Sequence, residues 1–284
     1  MHVENKVAII TGGSSGFGKA LAYRLVNKGA KVILADIDVK GGEQVAAELN
    51  AGKPIKVAHF VRCDVTSPSD LSALFPLARS QFGRFDILVN NSGIMEPAHL
   101  FVDESQIWRK VLDINLTAVV EGTRLGVEAF QVEKQQGRLG SEGGVIVNTA
   151  SIAGILPFTL GPVYTATKHG VVGFTRCFKK DLITKNGPRL EEKRSPTGHA
   201  LFDVVHEMGV RVNAVAPTWA DTGLIKDIRE MALGMHITVP VEQVIDGFMK
   251  VIEDQSCNGD IAVVRPNMGV HIVRSMDLAD LAKL

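Results

Sequence analysis

The chain is poor in several features that would otherwise narrow its function. Cysteine is scarce, with only Cys63, Cys177 and Cys257 among 284 residues. An odd count without a CxxC pair suggests neither a disulfide framework nor a zinc site. Charge of one sign is missing too: 31 basic and 31 acidic side chains cancel. That balance argues against a nucleic-acid footprint or a surface for acidic lipids. The eight histidines contain no HExxH and no close pair, so no metal is expected. No uncharged run reaches membrane-spanning length, and the N-terminus enters Lys6-Val-Ala-Ile-Ile10 without the apolar stretch of a signal peptide. A soluble, cytoplasmic protein acting on a small molecule is the expectation.

What is present is apolar substance in a regular order. Hydrophobic residues make up 45% of the chain, enough for a large core, and one α/β domain spanning 1–284 is expected. Strand-like runs at 7–10, 31–35, 57–61, 87–89, 145–147, 210–215 and 261–264 alternate with helical patterns. Those patterns cover 17–28, a stretch around 45–49, 71–82, 106–135, 164–183 and 241–253. Such βαβα alternation predicts a doubly wound parallel sheet of Rossmann type with helices on both faces. Strands buried on both sides should be almost continuously apolar, and these are.

Between the first strand and first helix lies Thr11-Gly12-Gly13-Ser14-Ser15-Gly16-Phe17-Gly18. Strand, glycine turn and helix form the context a dinucleotide-binding turn requires. Gly12 permits the tight turn, Gly16 lets backbone approach a pyrophosphate at the helix N-terminus, and Gly18 allows close packing. Asp36 ends the second strand, where a carboxylate can accept hydrogen bonds from an adenosine ribose. The turn carries no Arg or Lys and Ile37 follows the aspartate, so NAD rather than NADP is expected. Cys63-Asp64-Val65 follows the third strand and Asn90-Asn91-Ser92-Gly93 the fourth, at the sheet edge where such folds bind ligands. Each could equally be a turn cap. Tyr164 and Lys168 are four apart on one helix and can face one cavity. An ammonium there should pull the phenol down from its ordinary pKa of about 10 toward a value useful for proton exchange.

Taken together, Thr11-Gly12-xxx-Gly16-x-Gly18, Asp64, Asn90-Asn91-Ser92-Gly93, Asn115, Ser151, Tyr164-xxx-Lys168 and Ala216-Pro217 resemble the short-chain dehydrogenase/reductase family. The resemblance runs over about residues 3–182 and 209–270. Within the family the chain most resembles NAD-dependent 15-hydroxyprostaglandin dehydrogenase-like members. The carriers are Met1-His2-Val3, Phe82-Gly-Arg-Phe-Asp-Ile-Leu-Val-Asn-Asn91, Lys168-His-Gly-Val-Val-Gly-Phe-Thr-Arg176 and Asn258-Gly-Asp-Ile.

The resemblance implies Tyr164 as general acid/base, Ser151 as hydrogen-bond donor to the substrate oxygen, and Lys168 as partner of Tyr164 and of the nicotinamide ribose. It also implies Asn115 as anchor of a proton-relay water. The cofactor contacts it implies are Gly12, Ser14, Gly16, Phe17, Gly18, Asp36, Ile37, Cys63, Asp64, Val65, Asn91, Ala220 and Thr222. It further implies a homodimer or homotetramer built on the helices at 106–135 and 164–183.

Three departures stand out. Pro217-Thr218 replaces the usual Pro-Gly after the sixth strand, so the loop there should sit differently. Residues 185–208, rich in charge and punctuated by Gly187-Pro188 and Ser195-Pro196, read as a surface insertion. Leu160-Gly161 stand where the prostaglandin-type enzymes have glutamines, which argues against prostaglandin itself. Leu156, Phe158, Leu160, Trp219, Met231 and Met235 are expected at the pocket and favour a hydrophobic secondary alcohol or ketone, although core packing would use the same residues. An NADP-dependent ketone reductase and a catalytically inactive dinucleotide-sensing relative remain alternatives, the latter requiring loss of Ser151, Tyr164 or Lys168. None is lost.

Overall fold

A computed structural model describes residues 1–96, 105–179, 205, 207–224, 229–234 and 238–274. Its centre is a sheet of eight strands: β1 (Val7–Thr11), β2 (Lys31–Asp36), β3 (Ala58–Arg62), β4 (Ile87–Asn90), β5 (Val145–Thr149), β6 (Arg211–Pro217), β9 (Ile261–Arg265) and β10 (Gly269–Val273). A separate two-stranded pairing joins β7 (Trp219–Ala220) to β8 (Thr238–Val239). Strand order in the large sheet is β10-β9-β6-β5-β4-β1-β2-β3. All its neighbours are parallel except β10, which runs antiparallel to β9. The sheet is thus the expected mostly parallel one, with an antiparallel edge strand added that the sequence reading did not include. That strand's alternation is weak and it follows a tight turn at Asn267, where φ is +61°, so it returns as a hairpin with no helix to announce it.

The helices are α1 (Gly16–Asn27), α2 (Val39–Asn50), α3 (Pro68–Phe82), α4 (Ile107–Leu112), α5 (Ala118–Gln135), α6 (Pro162–Arg176), α7 (Arg229–Gly234) and α8 (Val241–Glu253). Side chains alternate across a strand, and the core follows that rule. Ala8 and Ile10 of β1, with Val32 and Leu34 of β2, pack in one apolar layer with α1, α2 and α8. Val7 and Ile9, with Ile33 and Ala35, pack in the opposite layer with α3 and α5. Both faces are covered, which is why these strands carry no polar alternation.

Two helices depart from the sequence pattern. The expected helix over 106–135 is interrupted by a π turn at Asp113–Thr117, so that the Ala118 amide bonds the Asp113 carbonyl five residues back. Helix α6 ends at Arg176 rather than continuing to 183. Asn258 Nδ2 captures the Phe178 carbonyl at 3.2 Å and Lys179 Nζ reaches Asp260 at 2.5 Å, so tertiary partners take the chain out of the helix. Residues 180–204 and 206 of the expected insertion region lie outside the described residues. Val205 and Met208, near its end, are buried in the layer beneath α3 and α5.

The sheet order places the topological switch between β1 and β4. From β1 the chain winds outward through β2 and β3; it then crosses back to β4 on the other side of β1 and winds away. At that point successive crossovers leave in opposite directions, and a crevice opens at the carboxyl ends of the strands.

Candidate active site

The crevice is lined first by backbone. Gly12 has φ +67° and Gly16 φ +52°, the left-handed region that glycine adopts without steric cost. A Cβ on Gly18 would stand 2.1 Å from the Gly12 carbonyl oxygen, so α1 can begin only where that residue has no side chain. The turn is braced from β4. Asn91 Nδ2 donates to the Thr11 and Gly12 carbonyls at 3.0 and 3.2 Å, while the Asn91 and Ser92 amides both donate to Thr11 Oγ1. Asn91 is therefore a brace for the turn.

Asp36 closes on the same turn. Its Oδ2 accepts from the Ser14 amide at 3.0 Å and the Ser14 hydroxyl at 2.6 Å, and Oδ1 accepts from the Asp38 amide at 3.0 Å. Ile37 beside it is 65% exposed. Phe17 packs back on the core. One strand further out, Cys63 is buried, and burial pushes its thiol up to about 12, so it is inert. Asp64 caps the turn into α3 through the Thr66 amide and hydroxyl; those bonds, the amide's first, hold its carboxyl below the usual range. Val65 is buried beside it.

The second wall is built from side chains. Tyr164, Lys168 and Asn115 are 5%, 2% and 0% exposed. Lys168 Nζ donates to the Thr149 carbonyl at 2.6 Å and lies 5.5 Å from the Tyr164 ring centre. Asn115, swung inward by the π turn, donates to the Ile94 carbonyl at 2.7 Å and accepts from the Ile94 amide at 2.9 Å. A methyl group on Gly93 would lie 3.4 Å from Asn115 Oδ1 and 3.8 Å from Lys168 Nζ, so these two polar groups flank a residue that leaves them room. Ser151 caps a short 3₁₀ turn at Ile152–Gly154 through the Ala153 amide, and its hydroxyl lies near enough the Tyr164 phenol to pull the phenol's pKa down.

The electrostatics differ from the sequence expectation. Burial pushes the Tyr164 phenol up to about 12, against a smaller downward pull from the nearby Ser151 hydroxyl, and the Glu96 carboxylate adds to the rise. Burial likewise pulls Lys168 down to about 8. Desolvation penalises the charged form of each group and is the leading cause of both shifts. The apolar shell of Val111, Ala153, Ile94, Met95, Phe158, Val163 and Leu224 explains the size of that penalty.

Glu96 is not among the residues expected at the site. It is 2% exposed, and its carboxylate accepts from the Val163 amide at 2.6 Å and the Tyr164 amide at 2.9 and 3.0 Å. An acid in the apolar run Ile94-Met95-Glu96 was the available signal. Of the expected pocket residues, Phe158 and Trp219 meet edge to face at 4.8 Å, Leu160 is half-buried and Leu156 is 52% exposed. The Met231 side chain and Met235 fall outside the described residues. Ala220 is buried in β7, and Thr222 carbons lie 3.8 Å from where a Gly16 side chain would begin, so this loop reaches over the glycine turn. Thr218, in place of glycine, fastens the loop's root by donating its amide to the Val264 carbonyl at 2.9 Å.

Among the described residues no cluster of potential metal ligands occurs, and no helix is long and apolar enough to cross a membrane. The glycine cradle, the carboxylate ending β2 and the loop over Gly16 fit a dinucleotide.

Comparison with known proteins agrees with this geometry. Residues 6–186 match the family model for short chain dehydrogenases. The human 15-hydroxyprostaglandin dehydrogenase [NAD(+)] is 34% identical, with 95% of each chain covered. Cyclohexanol dehydrogenase from an Acinetobacter strain is 33% identical over 80% of this chain and 77% of that protein. A crystal structure of 3-ketoacyl-(acyl-carrier-protein) reductase from Brucella melitensis complexed with NADH superimposes with a TM-score of 0.72 at 27% identity, covering 92% of this chain and 97% of the other. The chain belongs to the short-chain dehydrogenase/reductase family of oxidoreductases, which act on hydroxyl or ketone groups.

Proposed function

We propose that the protein is an NAD-dependent dehydrogenase of hydrophobic secondary alcohols, with Tyr164 as the general acid/base. The observation that carries this reading is the buried Ser151–Tyr164–Lys168 constellation opening beside a glycine turn that is closed by an aspartate. A bound NAD supplies the hydride acceptor. The chain's own residues do the rest. The amides at the start of α1 hold the pyrophosphate, Asp36 accepts from the adenosine ribose, and the loop through Ala220 and Thr222 covers the nicotinamide end. Ser151 donates to the substrate oxygen as charge develops on it, in a site from which water is excluded. Tyr164 Oη takes the hydroxyl proton as the phenol releases its own along the route that Lys168 and Asn115 hold.

The substrate class rests on the lining. Ile94, Met95, Phe158 and Leu224 pack around Tyr164, the Phe158–Trp219 pair stands nearby, and no charged clamp is found among the described residues. The dehydrogenases of hydroxyprostaglandin and cyclohexanol among the relatives support an apolar alcohol. Purified protein given NAD⁺ and a panel of cyclic and long-chain secondary alcohols should generate NADH absorbance. Turnover confined to short polar alcohols would overturn the substrate class, and absence of turnover with every member would overturn the reading as a whole.

A further inference from the structure

Helix α6 delivers both Tyr164 and Lys168, and its N-terminus is an accounting problem. The first turn of a helix has amides with no partner inside it. Here the N-cap is Gly161, which has no side chain to offer, and the first helical residue is Pro162, which has no amide proton. Two donors remain, Val163 and Tyr164, because the Thr165 amide already bonds the Gly161 carbonyl at 2.8 Å. Glu96 takes both. It does so from the loop after β4, far away in sequence, and it is buried. Among the described residues it makes no ion pair, so its negative charge is balanced by those amides and the positive end of the helix dipole.

The same loop is tied to the other catalytic wall. Two residues before Glu96, Ile94 gives both its backbone groups to Asn115, and Gly93 lies against Lys168. A single short segment, 91–96, thus braces the glycine turn through Asn91, the π turn through Ile94 and the catalytic helix through Glu96.

We propose that Glu96 is a positioning residue for the reaction: its carboxylate fixes the first turn of α6, and with it the place of the Tyr164 hydroxyl relative to Ser151. It acts through Tyr164 and does not touch substrate. An ordinary N-cap serine or aspartate would stabilise a helix locally; a carboxylate reaching across from the cofactor-side loop instead locks two walls of one crevice together. Its charge also faces the tyrosine. The titratable groups facing Tyr164 among the described residues are Glu96 from this loop and Lys168 from its own helix, so removing the Glu96 charge should ease ionisation of the phenol.

This inference rests on Tyr164 being the acid/base, and the experiment separates the two ideas. The chain has two tyrosines, and Tyr23 lies on α1 bonded to Glu48, away from the crevice. In a Tyr23→Phe background, Tyr164 is the only tyrosine, and its ionisation can be followed by ultraviolet difference spectroscopy without any substrate. Glu96→Gln keeps an oxygen that accepts from the two amides but loses the charge. We expect the onset of Tyr164 ionisation to fall to lower pH in Glu96→Gln while circular dichroism is still native. On any alcohol of that panel that is oxidised, Glu96→Ala should lower kcat by about 10- to 100-fold with KM little changed, and Glu96→Gln should restore most of it. An unmoved ionisation onset together with Glu96→Ala turnover equal to wild type per folded molecule overturns the proposal. If no alcohol is oxidised, the spectroscopic arm still decides: an unmoved onset alone then overturns it. Loss of turnover in Tyr164→Phe is a separate result and bears only on the acid/base assignment.

Discussion

The two walls of the crevice are made of different material. The cofactor-side wall is written in backbone: Gly12, Gly16 and Gly18 act through what they lack, and Asp36 and Asn91 fasten the turn they form. The substrate-side wall is written in buried polar side chains, Tyr164, Lys168, Asn115 and Glu96, each desolvated and each held by a specific partner. A backbone cradle is cheap to keep but intolerant of a single methyl. A buried polar wall costs stability at every member and repays it only in function. The comparison predicts that substitutions in the second wall will separate activity from stability, whereas those in the first will shift affinity and cofactor choice.

The largest effect should come from Tyr164→Phe. It removes one oxygen from a buried site, keeps the ring packed among Val111, Ala153 and Phe158, and removes the proposed acid/base. General acid–base catalysis contributes about 10²- to 10⁴-fold, and kcat should fall by that amount or more. NADH affinity, set mainly by the other wall, should change by less than about threefold. Stopped-assay turnover beside fluorescence titration of NADH checks both. Near-wild-type turnover would break the contrast at its centre.

Next comes the cost of holding Lys168. Its folded pKa is lowered to about 8 from an ordinary value near 10.4, so between those values the unfolded chain binds more protons than the folded one. Stability must therefore rise with pH across this window, and below about pH 8 the full cost is present. The size is about 3 kcal/mol at most, since buried groups relax. Urea unfolding from pH 7 to 10 should show the rise in wild type and lose it in Lys168→Met. Tyr164, pushed up to about 12, contributes in the opposite sense only above about pH 10, where the unfolded phenol ionises first. A wild-type curve as flat as that of Lys168→Met would mean the ammonium is better solvated than its burial implies.

The same division explains what could be read from the sequence. The glycine turn, Asp36 and the alternating strands were legible because each is a local rule: a spacing, a chain end, a run of apolar residues. The Tyr164–Lys168 spacing was equally local. Their pKa values were not, because desolvation depends on Ile94, Met95 and Phe158 arriving from other segments. Asn91 reads alone as a ligand-facing asparagine, and only the closeness of β1 and β4 turns it into a brace. Nor could the end of α6 be read: its helical pattern continues past Arg176, and Asn258 and Asp260 intercept it from 80 and 81 residues away. The π turn at Asn115 is a third case, since nothing in Asp113-Ile-Asn-Leu-Thr117 forbids an ordinary helix.

The smallest effect, and the sharpest test of the backbone wall, concerns Asp36. Its Oδ2 already accepts two bonds from Ser14, while Oδ1 accepts one from Asp38 and keeps a second lone pair for a ribose hydroxyl. The carboxylate tightens the glycine turn, and its proposed second duty is to face the ribose. The 2′-phosphate of NADP would bring negative charge against it, in a crevice that screens less than water does. The segment offers no compensating cation: Ser14 and Ser15 occupy the turn, and Ile37, which follows the aspartate, points into solvent. Asp36→Ala should therefore lower kcat/KM for NAD by about 10- to 30-fold, raise it for NADP, and narrow the ratio from both sides. Ser14→Ala separates the duties: it removes one bond to Oδ2 but leaves the charge, so it should weaken both cofactors by a similar small factor and leave their ratio nearly unchanged. Comparable kcat/KM for NAD and NADP in the unmodified protein would remove Asp36 as the determinant of choice. A ratio shift in Ser14→Ala as large as that in Asp36→Ala would show that turn geometry, and not charge, makes the selection.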